Sequence, residues 1–285
     1  MKVAVVGAGT AGLYCVVSLL ESLPKFIKVD LIHSRTINPI EVGESSLVSF
    51  PHALSCGVDY VHHFDAAELG STIKFGVQFK NWNGDHFIPF ASGSYGIQFD
   101  TTKLPRFILP RLNKMYQNFS EKLRTVKEIK SLGKKVSIDG EVYDFVVDCR
   151  GYPDDFTNYT ISDKVYLNSG IVVKSYTPGD WEYTYHIAHE HGWMFGIPLQ
   201  EKTTWGYLWN SNVTTELEAQ SNLVGILDEY QIEYQSQDCR EFSFKNYYAN
   251  SLINEDGNIF VNGNRALFLE PIQATSLGCY GLING

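Results

Sequence analysis

The segment Gly7-Ala8-Gly9-Thr10-Ala11-Gly12 constrains this chain more than any other stretch. An unbroken apolar run, Val3-Ala4-Val5-Val6, precedes it, as expected of a strand buried on both faces of a parallel sheet. Leu13, Val16, Val17 and Leu20 then recur at helical spacing, and Pro24 stands just past the expected helix end. Residues 28–32 form a second apolar-rich run, so the first thirty-odd residues spell one βαβ unit. Within the loop, Gly7 allows the tight turn and Gly9 lets backbone approach a pyrophosphate. Gly12 lets the helix pack closely on the strand, and Thr10 and Ala11 open a helix whose free N–H groups attract anions. In this setting the motif points to a dinucleotide; the plain alternative is a strand, turn and helix with no ligand. His33 and Ser34 stand where a ribose-binding acid is expected, which weakens a simple NAD reading and favours FAD.

Beyond the first unit the texture changes. Residues 74–79 and 86–90 read as strands of a mixed or antiparallel sheet, separated by the turn-rich Asn81-Trp82-Asn83-Gly84. Residues 101–119 have helical spacing, with Pro105 and Pro110 predicting a kink or a late start. Strands are predicted at 135–138 and 142–148 around an Asp139-Gly140 hairpin turn, mostly sheet over 165–210, a helix over 215–232 and a last buried strand at 258–262. The fold class expected is therefore α/β, a Rossmann-like dinucleotide unit interleaved with a mixed or antiparallel sheet.

Composition removes other classes. With 23 basic and 32 acidic side chains the net charge is −9, which offers no footprint for nucleic acid or an anionic membrane. Five dispersed cysteines, at 15, 56, 149, 239 and 279, contain no CxxC pair and read as reduced thiols. Glycines interrupt the N-terminal apolar run and no A-x-A-like cleavage site follows it, so a cytoplasmic chain is expected. His186, His189 and His191 invite a metal reading, but on a strand 186 and 189 face opposite ways, and no metal site is expected.

Five stretches in order carry a family resemblance. Ile40-Glu41-Val42-Gly43-Glu44-Ser45-Ser46 resembles the V-G-E-A-T segment of flavin-dependent tryptophan halogenases. Residues 70–82, Gly-Ser-Thr-Ile-Lys-Phe-Gly-Val-Gln-Phe-Lys-Asn-Trp, resemble the segment carrying that family's catalytic lysine, here Lys74. Phe145-Val146-Val147-Asp148-Cys149-Arg150-Gly151-Tyr152 is similar to its D-C-S-G-F motif. Gly192-Trp193-Met194-Phe195-Gly196-Ile197-Pro198 is similar to W-x-W-x-I-P, with Phe195 for the second tryptophan. Residues 263–275, from Gly263-Asn264 through Pro271-Ile272-Gln273-Ala274-Thr275, resemble G-D-A-x-x-F-x-x-P-L-E-S-T.

The resemblance implies a hydroxylase-type FAD fold, with 1–50, 102–160 and 250–285 as the FAD-binding unit and 51–101 and 161–249 as the substrate-side sheet. It implies FADH2 from a separate flavin reductase, dioxygen, a halide ion and an aromatic, indole-like substrate, and it admits a homodimer. Gly7, Gly9, Thr10, Ala11, Gly12, Glu44, Asp148, Gly151, Gly263, Asn264 and Pro271 are the implied cofactor residues. Trp193, Phe195 and Pro198, with the backbone of Thr275 and Ser276, are the implied halide and substrate residues, and Lys74 and Gln273 the catalytic positions. A reduced flavin with dioxygen can oxidise halide to hypohalous acid, which Lys74 would capture or polarise. An apolar setting, expected from Ile73 and Phe75, would lower its pKa and favour the neutral amine.

Departures bear on the chemistry. The family's catalytic glutamate falls on Gln273, its serine on Ala274 and the glycine after the threonine on Ser276. A carboxamide takes up no proton near neutral pH, so a base role at 273 is lost, which favours a monooxygenase or oxidase without halogenation. A non-catalytic flavin-binding remnant is the third reading. In the family the chain continues past this motif into a helix and a substrate-covering helical region. The expectation here is that residues 276–285 begin that helix and little of the cover follows.

Overall fold

The computed structural model describes residues 1–34, 43–164 and 167–285; Ile40, Glu41 and Val42 of the first family motif lie outside them. A five-stranded parallel sheet forms the base, in the order Ile259–Val261, Phe145–Asp148, Lys2–Val6, Lys28–His33, Phe119–Leu123. Alternation along these strands sorts their side chains. Val5, Val29 and Leu31 face the helices α1 (Thr10–Ser22), α2 (Ser49–Val58), α3 (His62–Leu69), α4 (Leu104–Met115) and, later in the chain, α6 (Thr275–Asn284), whose apolar residues share one cluster with them. Ala4, Val6 and Ile32 face the other way, onto Val136, Ile138 and Tyr143 of an antiparallel three-stranded sheet. This parallel sheet with helices packed on it is the Rossmann-like unit of the α/β fold class expected from the sequence; the small antiparallel sheet on its other face is not predicted as such.

Seven strands make the large sheet, in the order Cys239–Ser243, Ser169–Ser175, Thr203–Trp209, Gly192–Pro198, Thr184–His189, Gly76–Lys80, His86–Pro89. All neighbours are antiparallel except Thr184–His189 beside Gly76–Lys80. One face packs Ile187, Met194 and Trp205 against Leu223, Ile226 and Leu227 of α5 (Glu216–Glu229), which a Thr215–Glu218 capping box starts. The opposite face carries Trp193 and Leu208. A second small sheet, Gly43–Ser45, Gly96–Asp100, Thr72–Lys74, bridges the two larger ones.

Several expected elements are corrected. The predicted strand over 74–79 breaks at Phe75, so Lys74 ends a strand of the small sheet and Gly76 begins one of the large sheet. Likewise 142–148 divides at Asp144 between the hairpin strand Glu141–Tyr143 and the parallel strand Phe145–Asp148. Ile259–Val261 is half-buried, not buried, because it ends the parallel sheet and its outer side pairs only with the irregular 252–254 segment. Helix α4 begins at Leu104 with Pro105 in its first turn, where a missing N–H costs nothing, and retains Pro110 inside.

Candidate functional site

The glycine loop sits at the carboxyl end of the central strand. Gly7 has φ +109°, and a Cβ there would lie 2.5 Å from the Cys149 carbonyl oxygen. A Cβ on Gly12 would lie 1.9 Å from the Gly7 oxygen, so only hydrogen fits where helix meets turn. Gly9, by contrast, faces open space. It caps α1 without a side chain, and no acidic residue occupies the first helical turn, so Thr10, Ala11 and Gly12 offer free N–H groups.

Other motif residues converge on this end of the sheet. Gly263, at φ +65°, touches Ala11 so closely that a Cβ would lie 2.4 Å from the alanine methyl. Asn264 accepts a hydrogen bond from the Tyr280 hydroxyl at 2.6 Å through Oδ1. Asp148 is held by Arg150, at 2.8 and 2.9 Å, and by Arg265 at 3.3 Å, beside Gly151 at φ +87°. Glu44 lies in the strand Gly43–Ser45, not in a solvated turn. Its Oε2 is buried without a partner, and burial pushes its pKa up to about 7 against a hydrogen bond from Thr10.

Lys74 is completely buried, so it is not an ordinary strand lysine with its head in water. Among the described residues its ammonium group has no carboxylate partner. Nζ donates to Ser45 Oγ at 2.9 Å and stands 5.4 Å from the centre of the Phe90 ring. Desolvation pulls its pKa from 10.5 down to about 7. Its apolar setting is not the one the sequence suggests. Phe75 is 43% exposed, because neighbours on a strand point to the opposite face. The groups nearest its amine are instead Ser45, the Phe90 ring and His186.

His186 is the second buried titratable group here. Desolvation and then the Lys74 charge push its pKa down to about 3, and its Nδ1 has no partner. Its ring meets Trp193 edge-on at 4.9 Å. Trp193 in turn clusters with Leu208, Phe244, Phe195, Phe268 and Ile272, so the Trp193–Pro198 segment and the C-terminal motif share one apolar wall. Pro198 ties the sheets together, its carbonyl accepting from Thr72 Oγ1 at 2.7 Å. Gln273 is exposed, and both it and Ala274 adopt left-handed backbone, φ +56° and +59°, just before α6. That helix starts at Thr275 and Ser276 with no side-chain cap, leaving its first N–H groups open.

Residue-type and motif reasoning missed Gln98, Thr184, Asn262 and Tyr280, which meet partners 16 to 139 residues away, and weighed His186 only as a metal ligand; Ser45 sat inside a recognised motif. Among the described residues no group of three or more His, Cys, Asp or Glu is placed to hold a metal ion, and no helix is long and apolar enough to cross a membrane. A surface cleft of about 770 Å³ lies between α5 and the Glu190–His191 turn, lined by none of the implied cofactor, halide, substrate or catalytic residues.

Solved structures share this arrangement. A flavin-dependent halogenase from Xanthomonas campestris matches with a TM-score of 0.83 and 17% identity, over 99% of this chain and 69% of its own. A tryptophan halogenase from Shewanella frigidimarina matches at 0.81 and 17% identity, over 100% of this chain and 69% of its own. A flavin-dependent halogenase from Brevundimonas sp. matches at 0.81 and 16% identity, over 99% and 70%. At such identities the likeness is one of fold. No curated protein matches by sequence. The profile of the tryptophan halogenase family, however, matches residues 2–142 and 133–280, nearly the whole chain. With its glycine loop, its buried lysine and that match, the chain belongs to the tryptophan halogenase family.

Proposed function

We propose that this chain is an FAD-dependent halogenase of an aromatic, indole-like substrate, with Lys74 as the residue that handles the oxidised halogen. One observation carries the reading. A lysine completely buried, with no carboxylate partner among the described residues, is costly to keep, and its pKa near 7 suits an amine that must be neutral at working pH.

The residues at the sheet end fit FAD. The open space at Gly9, the uncapped start of α1 and the absence of acid in its first turn suit a pyrophosphate. In this reading Gly7, Gly9, Thr10, Ala11 and Gly12 hold the pyrophosphate, while Glu44, Asp148, Gly151, Gly263, Asn264 and Pro271 line the rest of the cofactor. When bound and reduced by a separate flavin reductase, FAD with dioxygen supplies the oxidising power that converts halide to hypohalous acid. The chain's own tasks are positional. The N–H groups of Thr275 and Ser276 hold the halide, and Trp193, Phe195 and Pro198 wall the route to the substrate. The neutral Lys74 amine hydrogen-bonds hypohalous acid and points its halogen at the arene. The ring carbon gains the halogen, and the proton it loses leaves with the hydroxide as water.

The test combines the purified chain with a flavin reductase, NADH, FAD, bromide and a panel of indoles and phenols. Brominated product is expected by mass, falling at least ~100-fold in Lys74→Ala. Undiminished product in that variant removes the lysine's role, and a melting temperature unmoved by saturating FAD removes the cofactor. Gln273 favours a second reading, a flavoprotein monooxygenase or oxidase, for which hydrogen peroxide or an oxygenated product would appear with no brominated one.

A further inference from the structure

Lys74 ends a hydrogen-bonded line of buried side chains that no proposed cofactor residue joins. Nζ donates to Ser45 Oγ at 2.9 Å, Ser45 Oγ lies 2.8 Å from Thr184 Oγ1, and Thr184 Oγ1 donates to Gln98 Oε1 at 3.0 Å. Gln98 Nε2 donates to the Tyr183 carbonyl at 3.4 Å. Ser45, Lys74, Thr184 and Gln98 are all buried. Backbone register locks the line, since Gln98 lies opposite Ser45 on one side and Thr72 on the other.

The line has a direction. A backbone carbonyl can only accept, so Gln98 must turn its NH2 to Tyr183 and its oxygen to Thr184. Thr184 therefore spends its proton on Gln98, Ser45 spends its proton on Thr184, and Ser45 faces Lys74 with lone pairs alone. We propose that Gln98, through Thr184 and Ser45, is a positioning residue for Lys74, forcing the amine to donate to Ser45 and leaving the amine's own lone pair unengaged for the oxidised halogen. The inference rests on the halogenase reading only for that last purpose; the polarity of the line stands apart from it.

Other ionisable groups on the surrounding strands do not supply this control. Glu44 bonds to Thr10, Asp100 is paired with Lys202 at 2.7 Å, and His186 is held neutral by its burial.

The test reads the titration of Lys74 by 13C NMR of its Cε in the flavin-free chain. Gln98→Met, nearly isosteric, removes the terminal acceptor. Thr184 can then donate to Ser45 and Ser45 to the amine lone pair, which favours the neutral form. The Lys74 midpoint should fall by at least half a pH unit, about a threefold loss of proton affinity. Thr184→Val, which cuts the line at its middle, should move it the same way, and Thr184→Ser should restore the wild-type midpoint. If the three residues merely filled space, loosening would hydrate Lys74 and raise its midpoint. An unchanged or raised midpoint in a folded Gln98→Met or Thr184→Val variant overturns the proposal. A lowered midpoint in a protein that brominates nothing would keep the line and remove the halogenase reading.

Discussion

Gln273 and Ala274 show how much one residue can hold. Two successive non-glycine residues in left-handed backbone cost ~1–2 kcal/mol each. The turn survives because Phe268 and Ile272 are anchored in the apolar cluster before it and α6 is packed after it. The side chain so placed is a carboxamide, which can orient a hydrogen bond but carry away no proton. Gln273→Glu should therefore raise brominating turnover by ~10-fold to 100-fold above the carboxylate's pKa, read as kcat at saturating bromide. An unchanged kcat would show that position 273 is not part of the chemistry. At this scale the sequence was legible wherever a motif carried its own geometry, as at Gly7 and Gly12. It misled where neighbours in sequence stood in for neighbours in space. Ile73 and Phe75 promised Lys74 an apolar shell, yet strand alternation turns them away, and Phe90 and His186 provide it.

Elements depend on ties that span the chain. Asn262 is fully buried at the end of the edge strand; its Oδ1 accepts from the Gly263 N–H at 2.6 Å. Its Nδ2 reaches the Tyr280 carbonyl at 3.4 Å and Asn284 Oδ1 at 2.7 Å. A single amide thus fastens both the turn before Asn264 and the last turns of α6. Asn262→Ala would leave these buried groups unpaired at ~1–3 kcal/mol. Amide exchange across Thr275–Asn284 should then quicken by roughly tenfold to a hundredfold while the parallel strands stay protected. Equal exchange in the variant would mean that packing of Leu277 and Tyr280 alone holds the helix. Periodicity located the α1 and α5 helices and the hairpin at Asp139-Gly140. It did not reveal the breaks at Phe75 and Asp144, because both runs keep their apolar character across a change of sheet.

At the scale of the whole molecule, burying Lys74 makes stability depend on pH. Its pKa falls from 10.5 in the unfolded chain to about 7 in the folded one, so between those values the unfolded chain binds more protons. Stability from this group therefore rises as pH climbs from 7 to 10.5, and below 7 the full penalty, at most ~5 kcal/mol, applies. Glu44 works the other way, costing stability as pH rises from 4.5 to about 7. Lys74→Met should raise the melting temperature clearly at pH 6 and little or not at all at pH 10; an equal gain at both would mean the lysine is not buried as a cation. The sequence by itself determined the glycine loop, the βαβ start, the fold class and the family's motifs in order, because each is written in residues near one another along the chain. Tertiary structure alone decided that Lys74 has no carboxylate partner among the described residues, that Ser45, Thr184 and Gln98 line up behind it, and that Asn262 holds α6. Those facts depend on which strands become neighbours: Ser45 and Thr184 stand 139 residues apart and meet only when the small sheet closes on the large one.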